Sequence, residues 1–351
     1  MFMIDGSQYS GSGTIVRQAV ALSALTGRPI QVVKVRARRD KPGLRPQHIR
    51  VVEAIAELVN GRAEGLAQGS QEFAFHPGRL KVGRHYRWDI GSAGSTTMLS
   101  LGLLPVLAFA GSPVTVELRG GLFQDSAPSA FHLQHVLLPL LRAMGLSADV
   151  DIRRPGYIPR GDGILHLGVR PLTEPLRAVT REEVGPVTRV WGIALSSHLE
   201  DRRVSRRMAD RARDLLEQSG YVAEIEVRND AEALQRGAAF ALFADQRTDV
   251  RLGADQAGAL RRSAESIGGH VARQLLEELA SGATLDRFAA DQVIPFAALA
   301  AGESRFIIPA ATDHVLTGAW LAEVFLGAHV RVEGQRLVIQ GTGFWPDEER
   351  P

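Results

Sequence analysis

The chain has 351 residues, 45% hydrophobic and 23% charged, with 41 basic against 39 acidic side chains and a formal net charge of +2. That length exceeds one ordinary core, so two domains, or one domain carrying an insertion, are expected of a water-soluble globular protein. The absence of cysteine excludes disulfides, thiolate zinc sites and cysteine nucleophiles, and with no apolar run of about 18 residues and no signal-peptide pattern at the start the expected address is cytoplasmic, away from the membrane.

The first half of the chain contains one unit twice. Asp5-Gly6-Ser7 opens a Ser/Gly loop, a helix follows from about Ile15, and Thr26-Gly27-Arg28-Pro29 leads into a strand over 30–35. A polar loop with Pro42 and Pro46 then gives way to a helix over 47–58, closed by Asn60-Gly61, and a short strand over 62–67. Between residues 31 and 50 stand seven basic side chains (Lys34, Arg36, Arg38, Arg39, Lys41, Arg45, Arg50) against Asp40 alone. The same stretch reads as a solvated basic loop or as a phosphate-binding one, since guanidinium offers paired donors to phosphate oxygens.

The second copy starts at Asp89-Ile90-Gly91-Ser92-Ala93-Gly94-Ser95 and continues as a helix from Thr97, a strand over 114–118, a helix over 130–144 and a strand over 148–152. Helices stopped by glycine and strands opened by proline define a β/α unit. From 184 to 282 the rhythm changes: strands over 187–195, 223–227 and 238–244 surround an amphipathic helix over 203–218. A third, looser copy follows, with a helix over 266–279, a strand over 304–309, a helix over 312–325 and a final hairpin turning at Glu333-Gly334-Gln335. The expected architecture is therefore α/β (α+β): three β/α repeats in 1–183 and 283–351, with a small α/β domain inserted at 184–282.

Glycine-rich loops before helices, at 6–13 and 91–95, suit anions through backbone N–H groups and the positive helix end, and serve equally as ordinary helix entries. Neither has the P-loop spacing or its lysine. His314, in Thr312-Asp313-His314, stands at the start of an apolar helix, where the helix dipole disfavours the imidazolium and keeps a neutral, nucleophilic ring. His48, His132 and His135 read as surface or partly buried helix residues, and no HExxH pattern or comparable ligand cluster is present.

Six motifs in order carry a resemblance that covers the whole chain. They are Asp5-Gly6-Ser7-Gln8, the run from Lys41 to His48, Ile90-Gly91-Ser92-Ala93-Gly94-Ser95, Ser126-Ala127-Pro128, Ala290-Asp291-Gln292 and His314-Val315-Leu316-Thr317. In these the chain resembles the RNA 3′-terminal phosphate cyclases, whose fold is three repeats like the C-terminal domain of a translation initiation factor with a small α/β insert. The resemblance implies a ligase that adenylates His314 with ATP, passes AMP to an RNA 3′-phosphate, and closes that end into a 2′,3′-cyclic phosphate. It also implies an ATP-binding stretch at Phe288, Ala289, Ala290, Asp291 and Gln292, with Phe288 against one face of adenine and Pro128 against the other. Arg17, Arg36 and Arg39 would hold phosphates of ATP or RNA, and a divalent metal, Mg or Mn, would assist with ligands unknown. RNA 3′-phosphate ends are the implied partner, and a homodimer is left open.

The chain departs from the family pattern at Ser10, where a metal-holding glutamate is usual, at Leu101, where a glutamine is usual, and at Gly318, where an asparagine is usual. A catalytically weakened, cyclase-like RNA-binding or RNA-processing protein is the alternative these positions leave open. An enolpyruvyl transferase, also built from small α/β repeats, needs a lysine-rich anion site that three lysines do not supply.

Overall fold

The computed structural model describes residues 1–125 and 127–346; Ser126 of the fourth motif lies outside them. The first unit runs β1 (Phe2–Asp5), α1 (Gly13–Thr26), β2 (Ile30–Val33), α2 (Pro46–Leu58), β3 (Arg62–Glu64) and β4 (Phe73–His76). The second runs β5 (His85–Asp89), α3 (Thr96–Leu107), β6 (Val114–Gly120), α4 (Ala130–His132), a π-helical turn (Leu133–Leu137), α5 (Leu138–Ala143), β7 (Ser147–Arg154) and β8 (Gly163–Arg170). The third opens with β9 (Thr180–Arg181). Next come β10 (Val187–Ser197), α6 (Val204–Gln218), β11 (Ala223–Asp230), β12 (Gly237–Gln246), β13 (Arg251–Ala257) and α7 (Ala264–Ala280). It resumes with α8 (Ala289–Gln292), α9 (Ile294–Leu299), β14 (Ala301–Ile307), α10 (Asp313–Leu326), β15 (His329–Glu333) and β16 (Arg336–Thr342).

Three of the four sheets share one topology. Their orders are β1-β2-β4-β3, β5-β6-β8-β7 and β9-β14-β16-β15. In each, the first pair is parallel and the other two pairs are antiparallel. The parallel pair demands a crossover helix, which is α1 in the first unit and α3 in the second. In the third unit the crossover carries the whole fourth sheet as well as α8 and α9. The repeat expected from sequence is thus present, but its third copy begins at β9, a strand of two residues that no periodicity can reveal. The helix expected over 266–279, read with the third copy although it falls within 184–282, is α7, and it packs on α6, β12 and β13.

The helices gather in one layer. α1 packs against α2, α3 and α10 and is buried without a break from Thr14 to Leu25. Most of its sequence is apolar, as suits a central helix, with Arg17 and Gln18 as buried exceptions. Its ends are set locally: the Ser12 side chain accepts from Thr14 N at 3.2 Å, and Gly27 closes the helix at φ 68°. α10 repeats the design with Thr312 accepting from Val315 N and Gly327 at φ 71°.

In the fourth sheet, ordered β11-β10-β12-β13, the interior strand β12 is buried on both faces while the edge strand β11 is largely exposed. Along β12, Ala238, Phe240, Leu242 and Ala244 join Met208, Leu216, Val271 and Leu275 of α6 and α7 in a core of their own. The alternate residues Ala239, Ala241 and Phe243 join the main core. Strand alternation along β12 therefore binds this sheet to the rest of the molecule through one of its faces.

The loop after β2 is pinned by backbone contacts. Gly43, at φ 80°, lies so close to Gly69 that a Cβ there would stand 2.2 Å from the Gly69 carbonyl oxygen. The same loop receives Arg36, whose Nη1 donates to the Lys41 and Gly43 carbonyls at 2.7 and 2.9 Å. Gly43→Ala should lower stability by about 1–3 kcal/mol, the cost of a strained left-handed residue. Urea unfolding measures this, and an unchanged midpoint would show that the loop is not held this way.

Candidate active site

The starts of α1 and α10, the loop before α2, the loop after β6 and the Phe288–Gln292 stretch converge on one cavity of about 670 Å³. The helix starts bring Ser12, Gly13, Thr14 and Arg17 from α1, and Thr312 and His314 from α10. Capping explains the convergence: Ser12, Ser95, Ser129 and Thr312 each end a loop with a side-chain oxygen on the backbone of the following helix. Open helix N-termini and guanidinium groups around one space favour an anionic ligand.

Eight of the residues expected from sequence line this cavity: Arg17, Arg36, Arg39, Pro128, Phe288, Asp291, Gln292 and His314. Ala289 and Ala290 do not; both are buried in the main core and support the backbone between Phe288 and Asp291. Sequence reasoning gave no role to Thr14 or Arg287, which also line the cavity, and left Arg45, Gln47 and His48 as motif members without a task. The Lys41–His48 motif was signal enough for the last three. Nothing in the sequence marks Thr14, whose partner is 300 residues away.

His314 is held by that partner. Its Nδ1 lies 3.0 Å from Thr14 Oγ1, and Arg17 Nη2 donates to the same oxygen at 3.5 Å. Burial pushes the His314 imidazole below its ordinary pKa, and the Arg17 and Arg39 cations reinforce this against the exposed Asp313. The ring is therefore neutral at neutral pH, with Nε2 free of the Thr14 contact.

The surrounding groups carry matching shifts. Burial brings Arg17 down to about 10, with Asp291 opposing, and brings Asp291 up to about 7 against the pull of Arg17. His48 falls to about 3 through burial and the Arg36, Arg17 and Arg45 cations. It is a neutral acceptor, taking the Arg45 amide at Nδ1 over 3.0 Å. Its Nε2 packs onto the start of α1, where a Cβ on Gly13 would approach it to 2.2 Å. Gln47 Oε1 accepts from Ser95 N at 2.9 Å and so ties the first unit's loop to the second unit's helix entry.

A divalent cation has no evident protein cage here. Among the described residues no three His, Asp or Glu side chains converge as a metal site. Ser10 Oγ bonds Ser12 Oγ at 3.0 Å and accepts from Thr317 Oγ1 at 2.9 Å, so hydroxyls occupy one another where a carboxylate would be needed. Asp5 is bound by Ser7 and Lys34, which hold it down at about 2.

The family model described as RNA 3′-terminal phosphate cyclase matches residues 8–332. Proteins named RNA 3′-terminal phosphate cyclase align along nearly the whole chain. The one from Thermococcus onnurineus is 38% identical over 95% of this chain and 96% of its own. That from Hyperthermus butylicus is 39% identical over 96% and 95%, and that from Nitrosospira multiformis 38% over 96% and 95%. Among solved structures, the enolpyruvyl transferase NikO from Streptomyces tendae superposes at a TM-score of 0.41, with 12% identity over 98% of this chain and 49% of its own. A likeness that loose bears on neither fold nor function.

The His314 shift is directly measurable. Its C–H resonances, followed by NMR with pH, should titrate with a midpoint below the ordinary value of 6.5. Arg39→Gln removes a nearby cation and should move that midpoint upward. A wild-type midpoint at or above 6.5 would contradict the electrostatics described.

Proposed function

Because this chain belongs to the RNA 3′-terminal phosphate cyclase family, we propose that its cavity converts RNA 3′-phosphate ends to 2′,3′-cyclic phosphates through an adenylated His314. The observation that carries the reading is a neutral histidine, tethered at Nδ1 by Thr14 at 3.0 Å, in a cavity lined by Arg17, Arg36 and Arg39. Nε2 is then the nitrogen that attacks the α-phosphorus of ATP. An N–P bond forms, the bond to the bridging oxygen breaks, and pyrophosphate leaves. The Nδ1 proton stays on the ring, facing the Thr14 oxygen.

AMP next passes from His314 to an oxygen of the RNA 3′-phosphate, which restores the neutral ring. The neighbouring 2′-hydroxyl loses its proton and attacks the activated phosphorus, and AMP departs as the ring closes. Adenylation is needed because an oxygen of the bare 3′-phosphate is a poor leaving group, whereas AMP, displaced from a phosphoanhydride, is a good one. In this reading the adenine lies between Phe288 and Pro128, and the arginines hold the phosphates of ATP or RNA. A divalent cation, Mg or Mn, would arrive on those phosphates and offset their charge. Residues 184–282 form the inserted domain of this reading, and 1–183 with 283–351 form the catalytic repeats.

One second reading, a weakened catalyst, has two observations behind it. Ser10 sits in a closed set of hydroxyl contacts, and Leu101 borders a small void with Arg17, Gln18 and Gln292 where Gln18 Oε1 has no partner.

An RNA oligonucleotide with a 3′-phosphate distinguishes the two. The wild type should make its end resistant to phosphatase while releasing AMP and pyrophosphate, and His314→Ala should form no product. Absence of product from the wild type at saturating ATP and Mn²⁺ would favour the weakened reading. Ser10→Glu should lower the metal concentration for half-maximal rate and leave the KM for ATP nearly unchanged. Superimposable metal titrations would show that Ser10 has no bearing on the cation.

A further inference from the structure

His132 and Asp286 form a fully buried ion pair that the chemistry above leaves without a task. The His132 side chain is 2% exposed and that of Asp286 0%. Nε2 of His132 lies 3.0 Å from both oxygens of Asp286. The carboxylate takes three further donors, all backbone: Gly253 N at 2.9 Å, Phe288 N at 3.0 Å and Ala289 N at 2.9 Å. A carboxylate out of reach of water is tolerated only when its lone pairs are filled in this way. Burial opposes both charges, yet each partner offsets it for the other: His132 is raised and Asp286 is lowered from the ordinary value.

The donors are spread over parts of the chain far apart in sequence. Phe288 and Ala289 open α8, Gly253 belongs to β13 of the fourth sheet, and His132 ends α4. The His132 ring also meets the Phe288 ring edge to face, with centroids 5.5 Å apart and planes at 80°. At the other end of α4, Ser129 caps the helix by accepting from His132 N at 3.2 Å. Ser129 N donates to Asp255 of β13 at 2.9 Å, and Ser129 follows Pro128 directly.

We infer that His132 is a positioning residue for the nucleotide base: clamped on Asp286, it fixes the ring of Phe288, while Ser129 on Asp255 fixes Pro128. The inference rests on the reading that Phe288 and Pro128 hold the base. It makes β13 of the fourth sheet part of the nucleotide site, although no residue of that sheet lines the cavity among the described residues. Both walls of the slot are hung on one strand, so the spacing between them follows the contacts of Asp286 with Gly253 and of Ser129 with Asp255.

The test compares two ligands by calorimetry: α,β-methylene ATP, whose α–β bridge cannot be cleaved, and inorganic tripolyphosphate, which lacks the base. Phe288→Ala is the reference and should weaken the nucleotide about tenfold or more, the worth of one aromatic stacked on a base, with tripolyphosphate unchanged. His132→Gln should reproduce that pattern, because the amide keeps one donor to Asp286 but loses the ring and the charge. If it does not fold, the pair His132→Gln with Asp286→Asn, which removes both buried charges, carries the same expectation. Unchanged nucleotide affinity in the His132 variant beside a weakened Phe288→Ala overturns the inference alone. Equal weakening of both ligands also overturns it, by reducing His132 to a general support of the fold. Unchanged affinity in Phe288→Ala overturns the base-slot reading and this inference with it.

Discussion

α1 is buried from Thr14 to Leu25, Arg17 and Gln18 included, and such a helix is stable only when other elements close around it. No single four-stranded unit does that, since α2, α3 and α10, which pack on α1, come from all three units. The α2, α3 and α10 helices therefore share one layer with α1. The N-terminal end of α1, with Ser12, Gly13, Thr14 and Arg17, borders the cavity where loops of all three units meet. The site follows from that packing: Thr14 and Arg17 of the first unit come to His314 of the third because their helices must lie side by side.

Charge then sets what the site accepts. Arg17 is buried among apolar side chains, which costs free energy that Asp291 offsets only in part. Two histidines beside the arginines are pushed toward neutrality, and a carboxylic acid beside them is pushed toward protonation. The same cations that help hold His314 below its ordinary pKa favour an anionic ligand in this cavity.

Much of this was legible in the sequence because the local rules were obeyed. Ser12, Gly27, Ser95, Thr312 and Gly327 mark their helix ends by chemistry that operates within four residues. The residues that the resemblance implies, Arg17, Phe288 and His314 among them, do share one cavity. What stayed hidden depends on distance. β9 has two residues and is defined only by its pairing with β14. α7 reads as a helix of the third copy until its contacts with α6 are seen. His132 was read as a surface or partly buried helix residue, yet it is sealed in by Asp286, 154 positions away. The fourth sheet looked remote from the cavity, and Gly253 and Asp255 tie it to Asp286 and Ser129, which neighbour Phe288 and Pro128.

The central claim is that His314 becomes the covalent carrier of AMP. Mass spectrometry of the intact protein after incubation with ATP and Mn²⁺, followed by peptide mapping at neutral pH, tests it most directly. The account predicts a gain of one AMP per chain, located on the His314 peptide, lost in acid and absent from His314→Asn. AMP on any other residue, or cyclic product formed while His314 stays unmodified throughout turnover, would contradict it.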